Sequence, residues 1–180
     1  MSGSLDRNRI MKLFETLSAR LAARGIRGQL YIVGGSAMIV GYGRERTTRD
    51  VDARIEYAKD AVLAAAEEIA EEENLDPNWL NENARLFMPP AKDDRARTVF
   101  NTPGLAVTGA SAEHMLAMKI DAARNSDEDD IGVLIDQLEI TSADQALEMY
   151  RTVLPHTATV DARRRELVSK IVDERVRNRR

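Results

Sequence analysis

Leu30-Tyr31-Ile32-Val33-Gly34-Gly35-Ser36-Ala37-Met38-Ile39-Val40-Gly41 and, shortly after it, Arg46-Thr47-Thr48-Arg49-Asp50-Val51-Asp52-Ala53-Arg54-Ile55 decide the fold. The first stretch is a short apolar run broken by two glycines, and reads as a buried strand turning sharply. Ser36 then stands where it would cap a short helix from Ala37 to about Gly41. The second stretch reads as a strand over residues 47–55. Its period of two puts Val51, Ala53 and Ile55 on one side and Thr48, Asp50 and Asp52 on the other.

Each half has a chemical use. Two glycines let a backbone turn tightly and let a bulky anion approach it. The helix that follows offers free N–H groups and the positive end of its dipole, which suits a phosphate, and Ser36 adds a hydroxyl. Asp50 and Asp52, two residues apart on a strand, present both carboxylates to one side. Mg²⁺ is held by a few carboxylates together with substrate phosphate oxygens, so this pair suits it. Arg44, Arg46 and Arg49 flank the acids and can neutralise further phosphates. Gly-Gly-Ser alone is a common turn, and Asp-x-Asp alone is a common solvated face. Their order and spacing, with Arg46-x-Thr48 leading into Asp50, carry the specificity.

Working outward, Asp6 caps an expected helix over 7–24, with Ile10, Leu13, Phe14, Leu17 and Leu21 on one face. Residues 59–73 read as a helix burying Ala61, Val62, Ala65 and Ile69. Asp76-Pro77 is placed to start a short helix holding Trp79, Leu80 and Leu86. Thr98 to Phe100 and Leu105 to Val107 are weaker strand candidates. From residue 111 on, every segment reads as helix. Ser111 caps a helix burying Met115, Leu116, Met118 and Ile120, and a second runs from Glu128 to Leu138. Ser142 with Gln145 makes a capping box, and Asp161 opens a last helix. The expected fold is α/β (α+β), a mixed sheet flanked by helices over residues 1–110. A helical part over 111–180 is expected to pack on that core.

Composition bounds the partners. With 43% hydrophobic and 31% charged residues, the 180-residue chain can bury a core without staples. The absence of cysteine excludes disulfides and thiolate chemistry. His114 and His156 have no zinc spacing. No apolar run reaches the roughly 20 residues that span a bilayer, and residues 1–6 hold no apolar signal core. We therefore expect a cytoplasmic protein without a membrane partner. The net charge of −4 does not advertise nucleic-acid binding, yet residues 161–180 carry a local net charge of +4. Arg163, Arg164, Arg165, Lys170, Arg175 and Arg177 are the nearest thing to an RNA-binding surface.

Gly34-Gly35-Ser36 followed by Arg46-Thr47-Thr48-Arg49-Asp50-Val51-Asp52 resembles the signature of the DNA polymerase β-like nucleotidyltransferase superfamily. Within it, the Gly-Gly variant resembles the branch of AbiEii and MenT-type toxin nucleotidyltransferases. Two later stretches extend the resemblance. Ser111-Ala112-Glu113-His114-Met115-Leu116-Ala117-Met118-Lys119 is similar to that branch's capped helix ending in lysine. Arg124 with Asp127-x-x-Asp130-Ile131 is similar to the segment that follows it.

The resemblance implies Asp50 and Asp52 as ligands of Mg²⁺ or Mn²⁺, and Gly34, Gly35, Ser36, Arg46, Thr48 and Arg49 around the triphosphate of an NTP. Lys119 would contact a phosphate oxygen. Asp130, with Asp127 as second choice, would be the later acid, as a base or as an orienter of Lys119. It further implies transfer of a nucleoside monophosphate to an RNA or tRNA 3′ end, by a toxin silenced by a cognate antitoxin protein. One departure stands out. The strand candidates after residue 97 hold no acid, so a third strand carboxylate is missing unless Asp127 or Asp130 substitutes. That leaves open a nucleotide-binding module without turnover, or transfer to a small molecule or protein.

Overall fold

The computed structural model describes residues 3–156 and 160–179. Met1 and Ser2, part of the N-terminal stretch read for a signal, lie outside them. The chain divides into two compact units. The first holds the residues up to Leu86 together with Arg95–Ala110; the second holds Phe87–Asp94 and the chain from Ser111 onward. Among the described residues, no helix is long and apolar enough to cross a membrane.

In the first unit, helix α1 (Arg7–Ala23) starts where the Asp6 carboxylate accepts the Arg9 N–H at 2.7 Å. Its buried face is Ile10, Leu13, Phe14, Leu17 and Leu21, as the spacing predicts. Strands β1 (Gly28–Ile32), β2 (Val51–Tyr57), β3 (Leu80–Asn81), β4 (Arg97–Asn101) and β5 (Leu105–Gly109) form one mixed sheet in the order β3-β2-β1-β5-β4. β1 is central, antiparallel to β2 and parallel to β5. Helices α2 (Gly34–Tyr42) and α3 (Lys59–Glu73) complete the unit.

The register separates the two faces of the sheet. Leu30 lies opposite Ile55 and Val107, and Ile32 opposite Ala53 and Gly109. This face meets the helices: a Cβ added at Gly28 would stand 2.8 Å from Val62 Cγ2 of α3 and 3.1 Å from Leu21 Cδ1 of α1. Each side chain fully buried here contributes about 1.5–3 kcal/mol. The other face carries Tyr31 opposite Arg54 and Thr108. There the Arg54 guanidinium lies over the Tyr31 ring, 4.6 Å from its centroid.

Three local expectations are corrected. The segment from Asp76 forms no α-helix, only a 3-10 turn at Arg85–Phe87. The Asp76 and Asn81 side chains each accept the N–H two residues on, from Asn78 and Asn83, and such local bonds compete with the helical ladder. Trp79 is instead buried with its indole N–H on Ala66 O, Leu80–Asn81 pairs with β2, and Leu86 is 92% exposed. Helix α2 starts at Gly34, so Ser36 lies in its first turn rather than at its cap. Strand β2 starts at Val51. The residues before it bend at Arg46 and Arg49 and form one isolated bridge, Thr48 with Leu5.

The second unit is built, among the described residues, from α4 (Ala112–Ala122), α5 (Glu128–Gln137), α6 (Ala143–Val153) and α7 (Ala162–Asn178). Ser111, Ser142 and Asp161 cap α4, α6 and α7 through N–H groups three residues on. Its core holds Leu116, Ile120, Ile131, Leu134, Leu147, Tyr150, Val168 and Ile171. On α4 the expected burial is displaced by one position: Met118 is half-exposed and Lys119 is buried.

Candidate active site

Gly34 leaves β1 with φ +67°, a conformation that costs a side-chain-bearing residue about 1–2 kcal/mol. The turn aims the start of α2 at the segment before β2. A Cβ at Gly34 would lie 3.1 Å from Asp52 Oδ2; one at Gly35 would lie 2.8 Å from Thr48 Oγ1 and 3.8 Å from an Arg46 guanidinium nitrogen. Gly34, Gly35, Arg46, Thr48 and Asp52 therefore form one cluster, and the glycines are what let the side chains approach. The Val33 N–H donates to Asp52 O at 3.0 Å, locking the turn to β2.

The approach to β2 alternates. Arg44, Arg46, Thr48, Asp50 and Asp52 are half-buried, while Glu45, Thr47 and Arg49 are exposed. Asp50 and Asp52 thus share partial burial with Arg46 and Thr48, while Arg49 is exposed. Thr48 is held by two backbone hydrogen bonds with Leu5, at 2.7 and 2.9 Å. That pin is missed by sequence reasoning; its one local signal is an apolar residue just before the Asp6 cap.

Ser36 is 1% exposed and its hydroxyl donates to Val33 O at 3.1 Å. Asp50 Oδ2 accepts from the Asn81 side-chain amide at 3.1 Å, a neighbour that the chain pattern does not signal. Glu82, next to it, accepts the Ile55 N–H and pairs with Lys59. Burial raises the Glu82 carboxyl, but Lys59, the Ile55 N–H and Arg85 outweigh it and hold the group below the usual carboxylate range.

Besides Asp50 and Asp52, the alternation of β2 gives this side of the sheet Glu56, which is exposed and paired with Arg54 at 2.8 Å. On β5 the corresponding positions are Ala106 and Thr108, and β4 has no acid. Among the described residues, no cluster of three or more Asp, Glu, His or Cys side chains stands at metal-binding spacing. An open groove of about 790 Å³ adjoins the cluster, lined by Arg7, Asn8, Val40, Arg44, Glu45 and Arg46 among others. It shares Arg46 with the cluster and is not lined by Asp50, Asp52 or the Gly34–Ser36 turn.

The remaining sequence candidates lie in the second unit, and three of them converge there. Lys119 Nζ is 2.7 Å from Asp127 Oδ1 and 2.9 Å from Asp130 Oδ2. Asp130 is fully buried and Lys119 is 7% exposed, so the ammonium is held by two carboxylates in a covered position. The C-terminal cations are engaged within their own unit. Arg163 donates to Ala123 O and Arg164 to Asp121 O, while Arg165, Lys170 and Arg175 pair with Asp144, Glu128 and Asp136. Arg177 donates to Asp173 O.

Residues 8–174 match the model of a family described as nucleotidyltransferase of unknown function (DUF6036). No curated protein and no solved structure matches the chain. The matched span takes in the glycine turn, the two acids and the whole lysine cluster, and the chain belongs to this nucleotidyltransferase family.

Proposed function

We propose that the chain transfers a nucleoside monophosphate from an NTP to an acceptor hydroxyl. The acceptor oxygen bonds to the α-phosphorus, the bond to the bridging oxygen breaks, pyrophosphate leaves, and the hydroxyl proton passes to solvent or a base. The observation that carries this reading is the packing of Gly34 and Gly35 against Asp52, Thr48 and Arg46. A backbone stripped of side chains at a helix N-terminus, a cation beside it and two acids two residues apart make a site for a triphosphate.

The donor set fits Mg²⁺ or Mn²⁺ in the way that draws part of the coordination from phosphate oxygens: two half-buried carboxylates, Asp50 and Asp52, two residues apart at the start of β2. Bound there, the ion would orient the triphosphate and favour loss of the acceptor proton. The backbone at Gly35 admits the phosphates, Arg46 neutralises them and Thr48 keeps the turn in place. For Lys119 as a point charge on a phosphate oxygen, paired with Asp127 and Asp130 within the second unit, and for Asp130 as the later acid, the support is the motif resemblance alone.

An RNA or tRNA 3′ end as acceptor, with an antitoxin protein as silencing partner, is supported by the motif resemblance to toxin nucleotidyltransferases. The cations of α7, being engaged within their unit, add nothing to it. A second reading, nucleotide binding without turnover, is favoured by Ala106 and Thr108 standing where a third strand carboxylate would project.

Incubation with each of four α-labelled NTPs, Mg²⁺ and total RNA separates these readings, with Asp52→Ala as control. That variant keeps the backbone bond from Val33, and its urea unfolding checks that it folds. Label on RNA with the native protein alone is the expected result. NTP binding without transfer selects the second reading, and absence of NTP binding overturns both.

A further inference from the structure

We infer that Asn81 is a positioning residue for the cation site: it holds the Asp50 carboxylate by one oxygen. This rests on the proposed reading of Asp50 as a cation ligand. Asn81 is 6% exposed, so each of its polar atoms needs a partner. The side-chain oxygen accepts the Asn83 N–H at 2.8 Å. The amide nitrogen donates to Asn78 O at 3.1 Å and to Asp50 Oδ2 at 3.1 Å.

These partners fix which way the amide points. Turned over, it would set its NH₂ group against the Asn83 N–H, and its oxygen against both Asn78 O and the Asp50 carboxylate. The NH₂ group therefore faces Asp50 and donates to its carboxylate. Only Oδ2 of Asp50 is taken by this contact.

The local fold serves this contact. Strand β3 is two residues long, and its pairing sets Asn81 beside Asp52 and Leu80 beside Val51. The Val51 N–H donates to Trp79 O at 2.6 Å, and the buried Trp79 anchors the segment through Ala66. Glu82 holds the following residue to Ile55 and Lys59. A strand this short adds little to the sheet on its own; what it supplies is a rigid mount that brings a neutral donor to one acid of the pair. Partners of this kind, which hold a metal ligand without touching the metal, are worth about 10–100-fold in metal affinity.

The test is a double-mutant cycle on Mn²⁺ binding, read from the electron paramagnetic resonance signal of free Mn²⁺ in the presence of each NTP. Asn81→Ala should weaken Mn²⁺–NTP binding about 10-fold or more in the native background, and by less than about twofold once Asp50→Ala is present. Equal losses in both backgrounds would make Asn81 a merely structural residue and overturn the inference; so would no loss in either. Asn81→Ser covers the case in which the alanine variant does not fold, because its hydroxyl can still meet the Asn83 N–H but cannot reach Asp50. A native protein that binds no Mn²⁺–NTP overturns the cation-site reading and this inference with it. The same cycle run on urea unfolding then separates the causes: non-additive stabilities leave the Asn81–Asp50 contact standing, and additive ones remove the contact as well.

Discussion

Replacing Gly35 by alanine should cost stability only while Thr48 keeps its hydroxyl. The new Cβ would stand 2.8 Å from Thr48 Oγ1 and 3.2 Å from Thr48 Cβ. Thr48 cannot simply retreat, because its N–H and C=O are both bonded to Leu5, and Leu5 is buried. Forcing a methyl into such a contact costs about 1–3 kcal/mol. Against this, alanine in place of glycine inside a helix gains about 0.5–1 kcal/mol. The expected net loss in Gly35→Ala is therefore about 1 kcal/mol, or roughly 2–4 °C in melting temperature for a chain of this size. Thr48→Ala removes the 2.8 Å contact and leaves the 3.2 Å one, which a shift of a few tenths of an ångström relieves. In that background Gly35→Ala should be neutral or slightly stabilising. The assay is urea unfolding of the native protein, both single variants and the double variant. An interaction energy of about 1 kcal/mol or more is expected. Equal costs in the two backgrounds, within about 0.3 kcal/mol, would refute the packing of Gly35 on Thr48, and with it the assembly of the cluster around the glycine turn.

The lysine cluster should respond asymmetrically in urea unfolding. Lys119→Met strands two carboxylates in a covered place and should cost about 3–5 kcal/mol, whereas Asp127→Asn leaves Asp130 to hold the lysine and should cost about 1 kcal/mol; equal costs would refute the arrangement. Gly104 and Gly132 make a second contrast, read by thermal melts. A Cβ at Gly104 would stand 2.0 Å from the Ser18 backbone oxygen, which cannot move aside, while one at Gly132 meets only the end of the Arg175 side chain. Gly104→Ala should cost about 3 kcal/mol and Gly132→Ala close to nothing; similar melting temperatures would contradict this. Glu82 supplies a pH dependence. Its folded pKa lies below the ordinary 4.5, so its contribution is fully present above that value and is lost as pH falls through the folded one. Glu82→Gln should therefore be less stable than the native protein at pH 7, with the gap closing below about pH 4.5. A gap that does not narrow at all as the pH falls below about 4.5 would show that the charge of Glu82 is not what matters.

Much of the helical structure is legible because its signals are local. Asp6, Ser111, Ser142 and Asp161 each meet an N–H three residues on, and the apolar faces of α1 and α3 repeat every three or four residues. Two expectations failed where a local rule met a tertiary one. Ser36 has the right composition for a cap, yet Gly34 at positive φ lets the helix begin two residues earlier, and the serine is drawn inside. Asp76-Pro77 has a helix-starting pattern, yet Trp79 finds its partner at Ala66 on α3, and the asparagines around it prefer bonds to their own neighbours.

The candidate site divides the same way. The glycines and the two acids are legible because a tight turn and a spacing of two on a strand both leave a pattern in the chain. The residues that hold them, Leu5 for Thr48 and Asn81 for Asp50, are 43 and 31 positions away, and a bond at that separation imposes no spacing that can be read. What such contacts do leave is a size requirement. Thr48 approaches Gly35 and Asp52 approaches Gly34 because neither position carries a Cβ. The paired glycines are thus the mark, within one short stretch, of a junction whose other half lies beyond α2. The same reasoning makes Gly35→Ala with Thr48→Ala a sharper test of the site than removal of an acid, because it probes the junction rather than the chemistry it supports.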